Sequence, residues 1–214
     1  MKIGILGSGD VGQVLGAGFA GLGHEVLLGS RDPLQEKVRA WVEKMGRGVK
    51  AGTFAEAAAF GELAVLATVW EGTENALRLA GPERLVGKVV IDATNPLDFS
   101  SGMPPKLAVG HTTSGGEKVQ GWLPAARVVK AFNTVGNPHM VKPQFPGGPP
   151  DMFICGNDAR ARETVSGLLR AFGWSSIDLG GIDRSRLLEP LAMIWILHFV
   201  NTRSGNHAFK LLTK

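Results

Sequence analysis

Three glycines near the start of the chain have the spacing G-x-G-x-x-G, in the segment Gly7-Ser8-Gly9-Asp10-Val11-Gly12. Such a turn binds the pyrophosphate of a dinucleotide when it lies between a strand and a helix. The first glycine permits the turn, the second lets the pyrophosphate approach, and the third lets the helix pack closely on the strand. The alternative is a glycine-rich turn without a ligand. Because the flanking segments read as strand and helix, we predict a dinucleotide site here, with phosphates on the helix N-terminus.

The end of the next predicted strand indicates which dinucleotide binds. NAD sites carry an Asp or Glu there for the ribose 2′-hydroxyl, whereas this chain reads Gly29-Ser30-Arg31. An arginine can form two parallel charge-assisted bonds to a 2′-phosphate, and Ser30 can add a third donor. This segment favours NADP(H) over NAD(H), although Arg31 could also be an ordinary solvent-exposed arginine. Asp32 is interpreted as the N-cap of a helix that begins at Pro33.

Two further polar segments lie at the carboxyl ends of predicted strands, where open α/β folds bind their ligands. Thr68-Val69-Trp70 ends one strand, and Thr94-Asn95-Pro96 follows another. Asn95 could hydrogen-bond a carboxamide, or it could only form a turn with Pro96. We expect both segments to border the cofactor.

The elements that must position these residues follow from apolar runs that alternate with amphipathic segments. Runs of this kind predict a parallel sheet that is covered on both faces, which is a Rossmann-type doubly wound α/β fold. The predicted strands are Ile3–Gly7, Glu25–Gly29, Leu63–Val69, Lys88–Ala93 and Arg127–Phe132, and the predicted helices are Asp10–Leu22, Pro33–Met45, 54–60 and the segment from Ser114 to Trp122 that a Ser-x-x-Glu capping box opens.

The chain after residue 132 is less regular. Five prolines between 138 and 150 mark a long connection, after which a strand at 151–155, a helix near 158–172 and a strand at 176–179 are predicted. We therefore predict a Rossmann domain over 1–135 and a smaller, partly helical lobe over 136–214. Residues 187–197 are apolar on nearly every side, which indicates a helix between the subunits of a homodimer, or one buried in its own lobe.

Composition excludes several classes of protein. The chain of 214 residues has a net charge of +4 and no long run of like charge, so nucleic acid is not an expected partner. Its single cysteine, Cys155, excludes an intramolecular disulfide and a CxxC site. We recognise no signal peptide and no apolar run long enough to span a bilayer, and therefore expect a soluble, cytoplasmic protein without a membrane partner.

Candidates for acid–base catalysis are scarce in this sequence. The five histidines have no metal-ligand spacing, and neither a Ser-His-Asp set nor a lysine suited to alcohol or imine chemistry is recognisable. Hydride transfer between two redox cofactors needs mainly that they be held face to face. The sequence is therefore compatible with chemistry that depends on positioning.

Several segments together resemble the family of F420-dependent NADP oxidoreductases and the cytoplasmic domain of STEAP metalloreductases. They occur in the family's order: GILGSGDVG, GSRD, TVWEG, DATNP, VVKAFNTVG, MFICGND and SRLLEPL. The resemblance implies NADPH at the glycine turn, its 2′-phosphate on Ser30 and Arg31, and a flavin or deazaflavin near the nicotinamide. It also implies dimerisation.

We accordingly predict an NADPH-dependent oxidoreductase whose small-molecule acceptor is FMN, FAD or F420. No catalytic residue is assigned; Phe132, Val135 and Trp195 are candidates for an apolar face against the acceptor, or plain core residues. The alternatives are an NADP(H)-binding redox sensor without turnover and a carbonyl or imine reductase. The predicted positioning residues are Asn95, Ala131, Asn133 and Thr134, and the predicted cofactor-binding residues are Gly7, Ser8, Gly9, Asp10, Val11, Gly12, Ser30, Arg31, Thr68, Val69, Trp70, Asn95, Pro96, Ala131 and Asn133.

Overall fold

The computed structural model of the protein describes all 214 residues and contains a central eight-stranded sheet. The strands are β1 (Lys2–Leu6), β2 (Glu25–Ser30), β3 (Val49–Thr53), β4 (Leu63–Leu66), β5 (Val89–Asp92), β6 (Leu97–Asp98), β7 (Lys106–Leu107), β8 (Arg127–Lys130), β9 (Asp151–Gly156) and β10 (Ser175–Asp178). The helices are α1 (Asp10–Gly21), α2 (Glu36–Met45), α3 (Phe54–Phe60), α4 (Trp70–Ala80), α5 (Gly115–Trp122), α6 (Ala159–Ala171) and α7 (Ser185–Thr202).

The strand order of the sheet is β10-β9-β8-β5-β4-β1-β2-β3. All neighbouring strands are parallel except β8 and β9, and β6 and β7 form a separate antiparallel pair. The chain runs outward from β1 to β3 and then returns to β4 on the other side of β1. This reversal creates the crevice in which doubly wound folds bind ligands. The predicted Rossmann-type, mostly parallel fold is confirmed.

Two apolar clusters cover the two faces of the sheet. One cluster contains Leu15 and Phe19 of α1 together with residues of α2 and α6. The other contains residues of α3, α4 and α5 together with Leu188 of α7. The inner strands β1, β4, β5 and β8 are buried almost throughout, which explains their continuous apolar sequences.

Two elements next to the site differ from the sequence prediction. Helix α2 begins at Glu36 instead of Pro33, because the Asp32 carboxylate accepts a hydrogen bond from the Leu34 N–H and holds a turn in front of the helix. Strand β4 ends at Leu66, so Thr68 and Val69 lie in a loop and Trp70 begins a helix. Helix α4 and the edge strand β3 were not predicted.

The long connection between β8 and β9 is present and holds a single short 3₁₀ turn at Asn137–His139. Beyond it, β9 and β10 extend the main sheet on the side of β8. The division into domains at residue 135 stays a prediction. No helix combines the length and the apolar character that a transmembrane span requires.

Candidate functional site

The glycine turn is built so tightly that two of its glycines admit no side chain. Gly7 has a φ of +133°, and a Cβ atom there would lie 2.3 Å from the Ala67 carbonyl oxygen. A Cβ atom on Gly12 would lie 2.0 Å from the Gly7 carbonyl oxygen. These contacts hold α1 against the end of β1, as the motif predicts.

Gly9 is different, because a Cβ atom there would meet nothing within 4 Å. It is the N-cap of α1 and gives no side-chain cap, and the N–H groups of Asp10, Val11 and Gly12 have no acceptor within the chain. Free N–H groups at an open helix N-terminus are the donors that a phosphate requires. The turn therefore fits the pyrophosphate of a dinucleotide.

The hydroxyl of Ser30 is the centre of a hydrogen-bond network at the end of β2. Its Oγ accepts from Ser8 Oγ at 3.1 Å and from Gln35 Nε2 at 3.1 Å, and it donates to the Asp32 carbonyl at 3.1 Å. Ser30 is buried, whereas Arg31 is exposed beside it. Ser30 thus fixes the shape of this loop, and Arg31 is the group that presents positive charge.

These residues line one cleft of about 980 Å³ above the carboxyl ends of the strands. Its fifteen lining residues include only three that are ionisable: Arg31, Asp32 and Glu71. Gln35, Glu71 and Asn75 line the cleft without having been predicted. Glu71 and Asn75 belong to α4, which was not recognised, whereas Gln35 lies in the turn before α2. The predicted residues that line the cleft are Gly7, Ser8, Gly9, Ser30, Arg31, Thr68 and Val69.

Trp70 is placed differently from its neighbours Thr68 and Val69. Its indole packs on that of Trp122, with ring centroids 5.7 Å apart, and does not line the cleft. Val69 is 79% exposed at the N-terminus of α4. Of the three, Thr68 and Val69 are therefore the residues that a bound nucleotide could contact directly.

Asn95 and Asn133 are brought together although they are far apart in the sequence. Asn95 Nδ2 donates to the Asn133 carbonyl at 2.7 Å, and Asn133 Nδ2 donates to Asn95 Oδ1 at 3.1 Å. Asn133 Nδ2 also donates to the Leu188 carbonyl at 3.0 Å, while its buried Oδ1 has no partner. The neighbouring residues Pro96, Ala131 and Thr134 are buried.

The residues considered for an apolar acceptor face do not form one surface. Phe132 is fully buried and packs against Phe172, with ring centroids 6.1 Å apart, so it is a core residue. Val135 is also buried. Trp195 is half-buried, stacks on His207 at 4.5 Å, and lies against Gly136. Of the three, Trp195 alone retains an accessible portion beside the 133–136 segment.

Comparison with known proteins places this arrangement in a family. Residues 2–96 match the family model described as NADP oxidoreductase coenzyme F420-dependent. The F420-dependent NADP reductase of Methanothermobacter marburgensis is 31% identical over 99% of this chain and 98% of its own length. The chain belongs to the F420-dependent NADP oxidoreductase family.

Two other similar proteins match this chain over different shares of their own length. The crystal structure of a candidate F420-dependent NADP reductase from Arthrobacter sp. FB24 is 40% identical, with a TM-score of 0.94 over 100% of both chains. Rat metalloreductase STEAP3 is 30% identical over 90% of this chain, which spans only 36% of that protein. Membership of this family confirms the predicted resemblance. The chain is therefore an NADP-dependent oxidoreductase, and NADP(H) is supported as its nucleotide.

This family member also contains a buried ion cluster, which we define as Lys130, Asp92 and Glu189. Lys130 Nζ lies 2.9 Å from Asp92 Oδ2, 3.0 Å from Glu189 Oε1 and 2.8 Å from the Thr94 carbonyl oxygen, and its side chain is fully buried. The three residues come from the ends of β5 and β8 and from α7. The ammonium group is therefore paired with two carboxylates and hydrogen-bonded to the Thr94 carbonyl oxygen.

The cluster carries one negative charge more than its lysine neutralises. The N–H groups of Gly115 and Gly116, at the N-terminus of α5, each donate to the Glu189 carboxylate at 2.9 Å and compensate that charge. Burial alone would lower the pKa of Lys130, but the charges and hydrogen bonds of Asp92 and Glu189 outweigh burial and raise it. Lys130 is thus held as a cation and cannot serve as an accessible acid.

Sequence reasoning missed the ion cluster completely. The available signal was the lysine at the end of the apolar run Val128-Val129-Lys130, because a cation placed in a buried strand requires a partner. The run did not indicate which carboxylates those partners would be.

Proposed function

We propose that the protein transfers a hydride between NADP(H) and a flavin or deazaflavin, with F420, FMN and FAD as the candidate acceptors. The observation that carries this proposal is the composition of the cleft. Its walls contain phosphate-binding backbone at the glycine turn and an exposed Arg31, but no Lys, His, Tyr or Cys side chain. Such a site can bind and orient a dinucleotide, and the only side chains in it that could donate a proton to a substrate are the exposed carboxyl groups of Asp32 and Glu71.

The proposed roles follow from where each residue lies. The N–H groups at the start of α1 would hold the pyrophosphate, and Arg31 would bind the 2′-phosphate. The nicotinamide would extend past β4 towards the ends of β5 and β8, where Asn95 and Asn133 lie. NADPH supplies the hydride, and the protein keeps its donor carbon facing the acceptor.

A flavin or deazaflavin suits a site of this kind because its ring system delocalises the arriving negative charge. The net reaction oxidises NADPH to NADP⁺, reduces the acceptor by two electrons, and takes up one proton, which can come from solvent. Carbonyl or imine reduction would instead require a proton donor placed at the oxygen or nitrogen. The M. marburgensis relative, which matches this chain from end to end, is an F420-dependent NADP reductase, and this supports a deazaflavin as one acceptor to test.

The test is an acceptor screen with the purified protein and NADPH. Loss of NADPH absorbance should depend on both enzyme and F420, FMN or FAD, and NADH should be a poorer donor. A simple aldehyde and a cyclic imine serve as control acceptors and should give no turnover. Reduction of either control, with all three ring acceptors inactive, would overturn the proposal. Tight NADPH binding without turnover on any acceptor would favour the redox-sensor alternative.

A further inference from the structure

The ion cluster is hydrogen-bonded to residues next to the asparagine pair, which we define as Asn95 and Asn133. Lys130 Nζ donates to the carbonyl oxygen of Thr94, the residue immediately before Asn95. Asp92 also binds Thr94, because Asp92 Oδ1 accepts from the Thr94 N–H at 2.9 Å and from the Thr94 hydroxyl at 2.7 Å. The position of Asn95 is therefore set by the cluster.

Asn133 is attached to the same cluster through α7. Its Nδ2 donates to the Leu188 carbonyl, and the next residue of α7 is Glu189. Glu189 in turn is fixed by Lys130 and by two N–H groups of α5. The buried ammonium group of Lys130 thus joins the loop after β5, which carries Asn95, to the turn of α7 that contacts Asn133.

The asparagine pair leaves one polar atom without a partner. Both contacts of Asn133 Nδ2 are to acceptors, which fixes the amide orientation and makes the remaining atom an oxygen. This Oδ1 is buried and has no donor within the chain. A buried amide oxygen left unpaired is costly, and it selects a ligand that brings an N–H group.

We propose that Lys130, Asp92 and Glu189 are positioning residues for the nicotinamide half of the cofactor. By fixing the asparagine pair they hold Asn133 Oδ1 in place to accept a hydrogen bond from the carboxamide N–H of the nicotinamide. The inference rests on the proposed function only in taking NADP(H) as the ligand. It does not depend on which acceptor receives the hydride.

The decisive variant is Glu189→Gln, because it keeps the size of the side chain and removes the excess negative charge. A neutral amide has one oxygen and cannot accept from Lys130 and from both glycine N–H groups at once. The turn of α7 that holds Asn133 should then shift, while the fold persists. Circular dichroism and the melting temperature verify that the variant is folded.

The measurement compares NADP⁺ with 2′-phospho-ADP-ribose, which lacks the nicotinamide, by isothermal titration calorimetry. Wild-type protein should bind NADP⁺ more tightly than the fragment. In Glu189→Gln this advantage should fall by about fivefold to tenfold, the size of one lost hydrogen bond, while the fragment binds as before. A general loosening of the structure would weaken both ligands, and that outcome would overturn the proposal.

Arg186→Met is the matched control, because Arg186 joins α7 to Glu117 of α5 at the protein surface and is not in the cluster. It should leave the NADP⁺ advantage unchanged; an equal loss there would refute a specific role for the cluster. Lys130→Met serves as a second, stronger variant if it folds, and should lose the same advantage. An unchanged advantage in Glu189→Gln also contradicts the proposal.

The outcome is separable from that of the proposed function. Calorimetry uses no acceptor, so the cluster can be tested even if F420, FMN and FAD all prove inactive. Conversely, turnover with one of these acceptors together with an unaltered Glu189→Gln variant would support the function and reject the positioning role.

Discussion

The hydroxyl of Ser8 donates a hydrogen bond of 3.1 Å to the hydroxyl of Ser30, and this bond joins the glycine turn to the end of β2. The two segments of the proposed NADP(H) site are therefore held in a fixed relationship. Because Ser30 also donates to the Asp32 carbonyl, its hydroxyl is engaged, and the exposed Arg31 is the main source of charge for a 2′-phosphate.

Cofactor preference should depend on Arg31. We expect Arg31→Ala to weaken NADPH binding by about 1.5–3 kcal/mol, the usual value of a hydrogen bond to a charged group, and to leave NADH binding nearly unchanged. Titration of both cofactors checks this. Arg39→Ala is the control, since Arg39 is an exposed arginine on α2 that does not line the cleft. Equal losses for NADPH and NADH would rule out the assignment of Arg31.

Gly9→Val should weaken the binding of NADPH and of NADH alike. A side chain at Gly9 meets no protein atom within 4 Å, so the variant should fold, yet it would occupy the space over the helix N-terminus. We expect binding of NADPH and NADH to weaken by at least about tenfold, because both carry the pyrophosphate. Undiminished binding of either cofactor would show that the phosphates lie elsewhere.

Gly12→Val is the informative contrast to Gly9→Val. Its Cβ atom would lie 2.0 Å from the Gly7 carbonyl oxygen, so backbone must move before the side chain fits. Thermal denaturation should show a loss of about 1–3 kcal/mol or more of folding stability for this variant. The stability of Gly9→Val should be close to that of the wild type.

The single thiol should be inert in the folded protein. Burial raises the pKa of Cys155 to about 11, and its Sγ lies 3.3 Å from Ser185 Oγ. At about pH 8 only about one thousandth of such a thiol is ionised, and the thiolate is the reactive form. A thiol-specific chromogenic disulfide should therefore react slowly with native protein and rapidly in denaturant. Rapid reaction under native conditions would contradict the buried position.

We expect the protein to form a homodimer through α7. This helix is not enclosed by its own chain, since Leu187 is 63% exposed, Ile194 57% and Leu197 42%. Light scattering should give the mass of a dimer at micromolar concentration, and Ile194→Asp should shift it to a monomer by removing about 2 kcal/mol or more of interface energy. Val86→Asp, at an exposed apolar residue on another part of the surface, is the control. A wild-type monomer would refute the expectation.

Local sterics and periodicity were enough to predict the framework of the site. The glycine turn was recognisable because only glycine tolerates the contacts at Gly7 and Gly12, and α5 was recognisable because Ser114 caps it by accepting from the Glu117 N–H. Strand β3 and helix α4 were missed for the opposite reason. The short edge strand includes a glycine. Helix α4 has buried residues at helical spacing, but it begins after a loop and without a side-chain cap, so nothing local marks its start.

The sequence by itself determined the fold class, the glycine turn and, through Arg31, the preference for NADP(H). Each of these depends on residues that lie close together in the chain. Only the tertiary structure decided that Lys130 is paired with Asp92 and Glu189, and that Asn95 faces Asn133. Lys130 lies 38 positions from Asp92 and 59 from Glu189, and Asn95 lies 38 positions from Asn133. No periodicity links such positions. They pair in the folded protein because a buried charge or amide without a partner is energetically costly.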